Sequence, residues 1–136
     1  MILYAGGKAK GVFTELSAQY LKRLHEYSVQ LIEVEEKQWD KLHKKPGQHW
    51  IMMAENGLNL SSLHFQQKLE QYRSFGKKIC FFIGQANGIP AHIFSQQDSC
   101  WSMGAMTWPH LWARVMLLEQ LYRAQQMTKG HPYSFI

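Results

Sequence analysis

Several kinds of residue and motif are scarce or missing from this 136-residue sequence, and each gap removes a class of protein. Only two cysteines occur, Cys80 and Cys100, both inside apolar segments. That fits buried thiols in a reducing cytosol better than a disulfide framework. The seven histidines, at positions 25, 43, 49, 64, 92, 110 and 131, have no His-x-x-x-His spacing, and the cysteines no Cys-x-x-Cys, so no metal is expected. No apolar run approaches the ~20 residues that span a bilayer. The opening residues "MILYAGGKAKG" lack a charged segment followed by a long apolar one, so no secretory signal is expected there. There is no Walker lysine, no Ser-His-Asp pattern and no Rossmann fingerprint, since Gly84 and Gly88 have the wrong spacing. Acidic residues are outnumbered, 10 against 15 Lys and Arg, for a formal charge of +5. Such a balance suits a polyanionic partner such as nucleic acid, or simply a mildly basic enzyme.

What is present reads as one domain, residues 1–136, with enough apolar residues (46%) for a single core. Short β-rich runs alternate with helical patterns. "ILYAG" (Ile2–Gly6) is a first strand. Val12, Phe13, Leu16, Tyr20 and Leu24 then recur at helical spacing as a core-facing stripe. "VQLIEV" (Val29–Val34) is a second strand, and the polar residues 35–48 form a mobile loop or a short helix. "WIMMA" (Trp50–Ala54) is a third strand closed by a turn at Asn56-Gly57. A helix follows, N-capped by Ser61 or Ser62, with Phe65, Leu69 and Tyr72 inward. "ICFFIG" (Ile79–Gly84) has the unbroken apolar character of a central parallel strand. A short helix at about Ala91–Gln97 and a brief strand at "CWSM" lead to a last helix from about Pro109 to Met127. Its core face is Leu111, Val115, Leu118 and Tyr122, while Trp112, Leu117 and Leu121 add apolar surface for a partner helix. The alternation predicts an α/β three-layer sandwich around a mostly parallel sheet.

Ligands of such sheets collect at the carboxyl ends of strands. Three ends stand out: Met53-Ala54-Glu55, Ile83–Gly88, and "SMGAMTWPHLW" (Ser102–Trp112). The last is a loop with no carboxylate, lysine or arginine. Together they predict a pocket that holds a partly apolar ligand through main-chain groups, such as an adenine nucleoside bearing a thioether-like chain. A cationic sulfonium needs no phosphate cradle. The plain alternative is that "GQANG" is an ordinary loop.

The segments "FFIGQANGIP", "WSMGAMTWPHLWARVMLLEQLYRAQQM" and "KGHPY" resemble the RlmH family, small SPOUT-superfamily methyltransferases of large-subunit ribosomal RNA. The likeness extends along nearly the whole chain, through "YAGGK", "QLIEV" and "AENGLNLSSLHF". It implies a SPOUT-type carboxyl-terminal trefoil knot, a homodimer, and S-adenosylmethionine as cofactor. It also implies methylation of N3 of a pseudouridine in 23S ribosomal RNA on assembled ribosomes. Carried over by position, Met53, Gly84, Met103, Gly104, Ala105, Met106, Thr107 and Trp108 would bind the cofactor. His110, Arg114, His131 and Tyr133 would serve the substrate side. Arg114 would stabilise the imide anion or grip phosphate, and Tyr133 would stack on the base. The structural alternatives are an Arg114 that only pairs within its helix and a Tyr133 that only pins the tail.

The chain departs from the family pattern where Gln85, Ala86 and Asn87 replace Gly-Pro-Glu, where Ala54 replaces an Asp, and where Ser134 replaces a frequent histidine. If the lost glycine served a positive φ, Gln85 would reshape its loop. Two further functions therefore stay open: methylation of another RNA such as tRNA, and a catalytically weakened homologue that binds RNA or ribosomes.

Overall fold

A computed structural model describes residues 1–135, with side chains through Tyr133. Ser134, one of the departures above, lies outside the described side chains. Five strands, β1 (Ile2–Gly6), β2 (Gln30–Val34), β3 (Gln48–Asn59), β4 (Lys78–Ile83) and β5 (Ser99–Ser102), form one sheet in the order β2-β1-β4-β3-β5. Every pair is parallel. β4 lies centrally, and Ile79 to Ile83 are buried, as its unbroken apolar run requires.

The faces are covered unequally. Helices α1 (Val12–Arg23), α2 (Ser62–Ser74) and α4 (His110–Thr128) share one face, where Leu3, Phe81, Trp101, Leu118 and Leu121 lie in one core. The other face packs Trp50, Met52 and Phe82 under only a 3-10 helix, Glu36–Lys41, and the short α3 (Ala91–Phe94). Trp39 fills that thin layer. In a capping box over the first turn of the 3-10 helix, the Gln38 side-chain oxygen accepts the Glu35 N–H at 2.9 Å and the Glu35 side chain accepts the Gln38 N–H, so residues 35–48 include a capped short helix. Ser61 is the N-cap of α2, its hydroxyl accepting the His64 N–H at 3.1 Å.

Three expectations change. The chain does not turn out of the sheet at Asn56-Gly57. β3 continues to Asn59, and Met53 and Leu58 both pair with Trp101, so Ala54–Gly57 bulge outward. A Cβ at Gly57 would sit 2.7 Å from the Trp101 carbonyl carbon, and this close approach to β5 accounts for the glycine. Along α1 the predicted apolar stripe is not a core stripe throughout, because Val12 is exposed and only Leu24, just past the helix end, is fully buried. In α4, Leu117 and Leu121 are not spare surface. Both are fully buried between α4 and the sheet, and of the three residues assigned to a partner helix only Trp112 is exposed.

Candidate functional site

The carboxyl ends of β3, β4 and β5 converge on a cavity of about 820 Å³, within the range of about 300–1,000 Å³ typical of small-molecule sites. The β3 bulge supplies Ala54, Glu55 and Asn56; the β4 end supplies Gly84, Gln85 and Ala86; the loop after β5 supplies Met103, Gly104, Met106, Thr107 and Trp108. Met53 and His110 complete the set of predicted residues that line it. Among the lining residues there is no lysine or arginine, one carboxylate, Glu55, and one imidazole, His110. Such a lining favours a neutral or cationic ligand over a phosphate.

The local geometry follows from the sequence. Ser102 ties off the start of the loop: its hydroxyl donates to the Gly104 carbonyl at 2.6 Å and accepts the Gly104 N–H at 3.1 Å. Gly104 adopts φ +116°, and a Cβ there would meet no atom within 4 Å, so it faces open space. Gly84 is different. A Cβ on it would overlap the backbone of Gly88 and Ile89, so this glycine lets the β4–α3 turn close. In that turn Gly88 N–H donates to the Gln85 carbonyl at 2.8 Å, and the only left-handed residue is Gly88. Gln85 therefore needs no positive φ, and its replacement of glycine leaves the turn intact. The Gln85 side chain instead lies across β1, where a Cβ on Gly6 would sit 2.9 Å from its Cγ.

Four predicted residues do not reach this cavity within their own chain. Ala105 is exposed on the loop but is not among the lining residues. Arg114 is only 1% exposed. Its Nη1 donates to Glu33 Oε2 at 2.6 Å, and its Nη2 donates to the carbonyls of Gly6 and Gly7 at 3.4 and 3.5 Å. The pairing is thus with β2 rather than within α4, and a grip on phosphate would require the guanidinium to leave Glu33. Burial alone would raise the Glu33 carboxyl, but the Arg114 hydrogen bond and the Ala9 N–H outweigh it and hold the group below its ordinary value. Tyr133 donates its hydroxyl to Glu119 at 3.1 Å, packs edge-on against Tyr122, and lies under the Arg123 guanidinium. Burial, then the Glu119 charge, pushes its phenol up to about 12. His131 bonds the Tyr133 N–H through Nδ1 in the same tail turn. Ile89, Phe94, Pro109 and Ala113 also line the cavity; no chemical signal distinguishes these residues from ordinary packing, so the sequence alone did not single them out.

The sequence model of the family described as "Predicted SPOUT methyltransferase" matches residues 1–134. The chain belongs to the SPOUT methyltransferase family. Among its curated relatives within that family, Ribosomal RNA large subunit methyltransferase H of Rhizorhabdus wittichii is 34% identical over 133 residues, 97% of this chain and 94% of its own. The proteins of the same name from Erythrobacter litoralis and a Synechococcus species are each 35% identical over 97% of this chain, and 94% and 93% of their own lengths. The fold also matches the crystal structure of the SpoU methyltransferase AviRb from Streptomyces viridochromogenes in complex with AdoMet. The TM-score is 0.55 at 11% identity, over 92% of this chain and 57% of that one. The residues that the resemblance assigns to the cofactor, Ala105 excepted, line this one cavity, and the loop without charged side chains forms part of its wall.

Proposed function

We propose that this SPOUT methyltransferase transfers the methyl group of S-adenosylmethionine to N3 of a pseudouridine in large-subunit ribosomal RNA, on assembled ribosomes and as a homodimer. The observation that carries the reading is the cavity at three strand ends, free of lysine and arginine, in a chain whose curated relatives are named for ribosomal RNA methylation. When bound there, S-adenosylmethionine supplies an electrophilic sulfonium methyl group. A lining without cationic side chains suits that charge, and the open space over Gly104 suits a nucleoside.

The protein's own contribution is positioning. Met53 precedes the β3 bulge and Gly84 follows β4, and the Met103–Trp108 loop, all but Ala105 of which lines the cavity, would wrap the nucleoside, exclude water and hold the methyl group against N3. His110, on the cavity wall at the first turn of α4, takes the N3 proton, a step worth about 10²–10⁴-fold. Arg114 acts from behind, tying α4 to β2 through Glu33 and to the β1 end through the Gly6 and Gly7 carbonyls. Since His131 and Tyr133 lie off their own chain's cavity, their substrate roles belong to a neighbouring chain's cavity in the homodimer. Exposed Val12, Met106, Trp108, Trp112 and Met116 support such a second copy. The carboxyl-terminal trefoil knot belongs to the same reading.

The direct test incubates the protein with labelled methyl donor and ribosomes from a strain lacking the modification. Label is expected on a large-subunit pseudouridine. Label on tRNA, or none at all from a folded protein, would overturn the assignment.

A further inference from the structure

The β1–α1 segment "GGKAKG", Gly6–Gly11, has no part in the donor cavity, yet it lies against the cavity wall. Gln85, which lines the cavity, packs over Gly6 and Gly7, close enough that a Cβ on either glycine would collide with it. Two glycines in the left-handed region, Gly7 at φ +83° and Gly11 at φ +56°, bracket the segment. Its middle residue is held inward: Ala9 N–H donates to Glu33 Oε2 at 2.6 Å. The same carboxylate oxygen accepts from buried Arg114, whose guanidinium also reaches the Gly6 and Gly7 carbonyls. Both flanking residues, Lys8 and Lys10, are exposed, and neither forms an ion pair among the described residues.

Charge arithmetic gives this arrangement a purpose. Glu33, the acid beside the segment, is neutralised by Arg114, so Lys8 and Lys10 leave a local excess of two positive charges. The adjoining cavity has no cationic side chain to hold a polyanion. A methyl-transfer site that acts on RNA must still hold the strand on both sides of its target base, and phosphate is the group available for that. We propose that the Gly7–Gly11 segment is a phosphate-docking loop, with Lys8 and Lys10 gripping the ribosomal RNA backbone next to the donor cavity. Glu33 and Arg114 act as positioning residues that present it. The inference rests on the methyltransferase reading for its partner, but it can be measured without turnover.

The experiment compares wild type, the double variant Lys8→Ala with Lys10→Ala, and the control Lys77→Ala with Lys78→Ala. The control pair is exposed at the opposite, amino-terminal end of β4 and makes the same change in net charge. Binding to purified large ribosomal particles lacking the modification is measured over a salt series, with cofactor titration and methyl transfer alongside. Loss of Lys8 and Lys10 should weaken particle binding about tenfold at moderate salt. It should also flatten the dependence of log K on log salt by about 1.4, as expected for two single-strand phosphate contacts. Cofactor affinity and kcat should hold, KM for particles should rise, and Lys8→Arg with Lys10→Arg should restore binding. Equal effects from the control pair, or no change in slope, would overturn the docking loop. If wild type binds particles through these lysines but transfers no methyl group, the docking loop stands and the proposed reaction falls.

Discussion

Gly104 is the residue at which the proposed donor site is tested most directly. Its φ of +116° is one that residues with a side chain rarely adopt, and its missing Cβ leaves space facing the cavity. Gly104→Val should abolish detectable S-adenosylmethionine binding in titration calorimetry while far-UV circular dichroism stays native. Gly104→Ala carries the same backbone strain, about 1–3 kcal/mol, with less bulk, and should keep weak binding. Gln85 is the opposite case. The sequence marks it as a departure that could strain its loop, but the turn places only Gly88 at positive φ. Gln85→Gly combined with Asn87→Glu should therefore leave turnover within about twofold of wild type; a large gain would identify a weakened enzyme instead. That Gly104 and the uncharged loop would line a cavity could be read in advance. The destinations of Arg114 and Tyr133 could not, because their partners Glu33 and Glu119 are 81 and 14 residues away in sequence.

At the scale of elements, regular periodicity placed β1 and α2 but not the buried face of α1. β1 runs over the residues its pattern marks, and the inward stripe of α2 holds at Phe65 and Leu69, with Tyr72 packed against the same core. Reading failed where a local signal met a tertiary constraint. Asn56-Gly57 has the composition of a turn, yet pairing with β5 keeps the chain in the sheet and makes the signal part of a bulge within β3 that lines the cavity. The start of β3 and β5 also carries a pH-sensitive contact. His49 Nε2 lies 2.8 Å from Ser99 Oγ, and its ring stacks on Tyr72. Burial holds the imidazole below its ordinary value, with Lys44 and Lys77 adding to the effect and Asp98 opposing it. A lowered folded-state value means that stability is present above the unfolded value, near ~6.5, and is lost as the unfolded chain takes up the proton more readily. The melting temperature should fall between pH 7 and pH 5, and His49→Gln should make that fall shallower. An unchanged profile would remove His49 from the account. Arg114→Met, which breaks the tie between α4 and β2, should cost on the order of 2–3 kcal/mol in urea unfolding. That is less than for a fully buried pair, because Glu33 reaches water.

For the whole molecule, the sheet order and the two-sided packing explain why function gathers at one end. The parallel strands all point their carboxyl ends the same way, and the helices leave that end open. An α/β fold around a mostly parallel sheet could be read from the alternation of elements. The strand order could not, since any crossover of adequate length satisfies the same local pattern. Val12, Trp112 and Met116 are exposed apolar residues on α1 and α4. Phe13 packs edge-on against Trp112 with centroids 5.0 Å apart, so α1 and α4 present one surface. On the proposed homodimer reading, wild type should be a dimer and Trp112→Glu a monomer in light scattering, whereas a dimer that survives the substitution would put the interface elsewhere. The account as a whole turns on the cavity at the strand ends, and calorimetric titration of S-adenosylmethionine into the wild-type protein tests it most directly. Saturable binding that Gly104→Val eliminates is the predicted result; a folded wild-type protein that takes up none, or a variant that binds as wild type does, would contradict it.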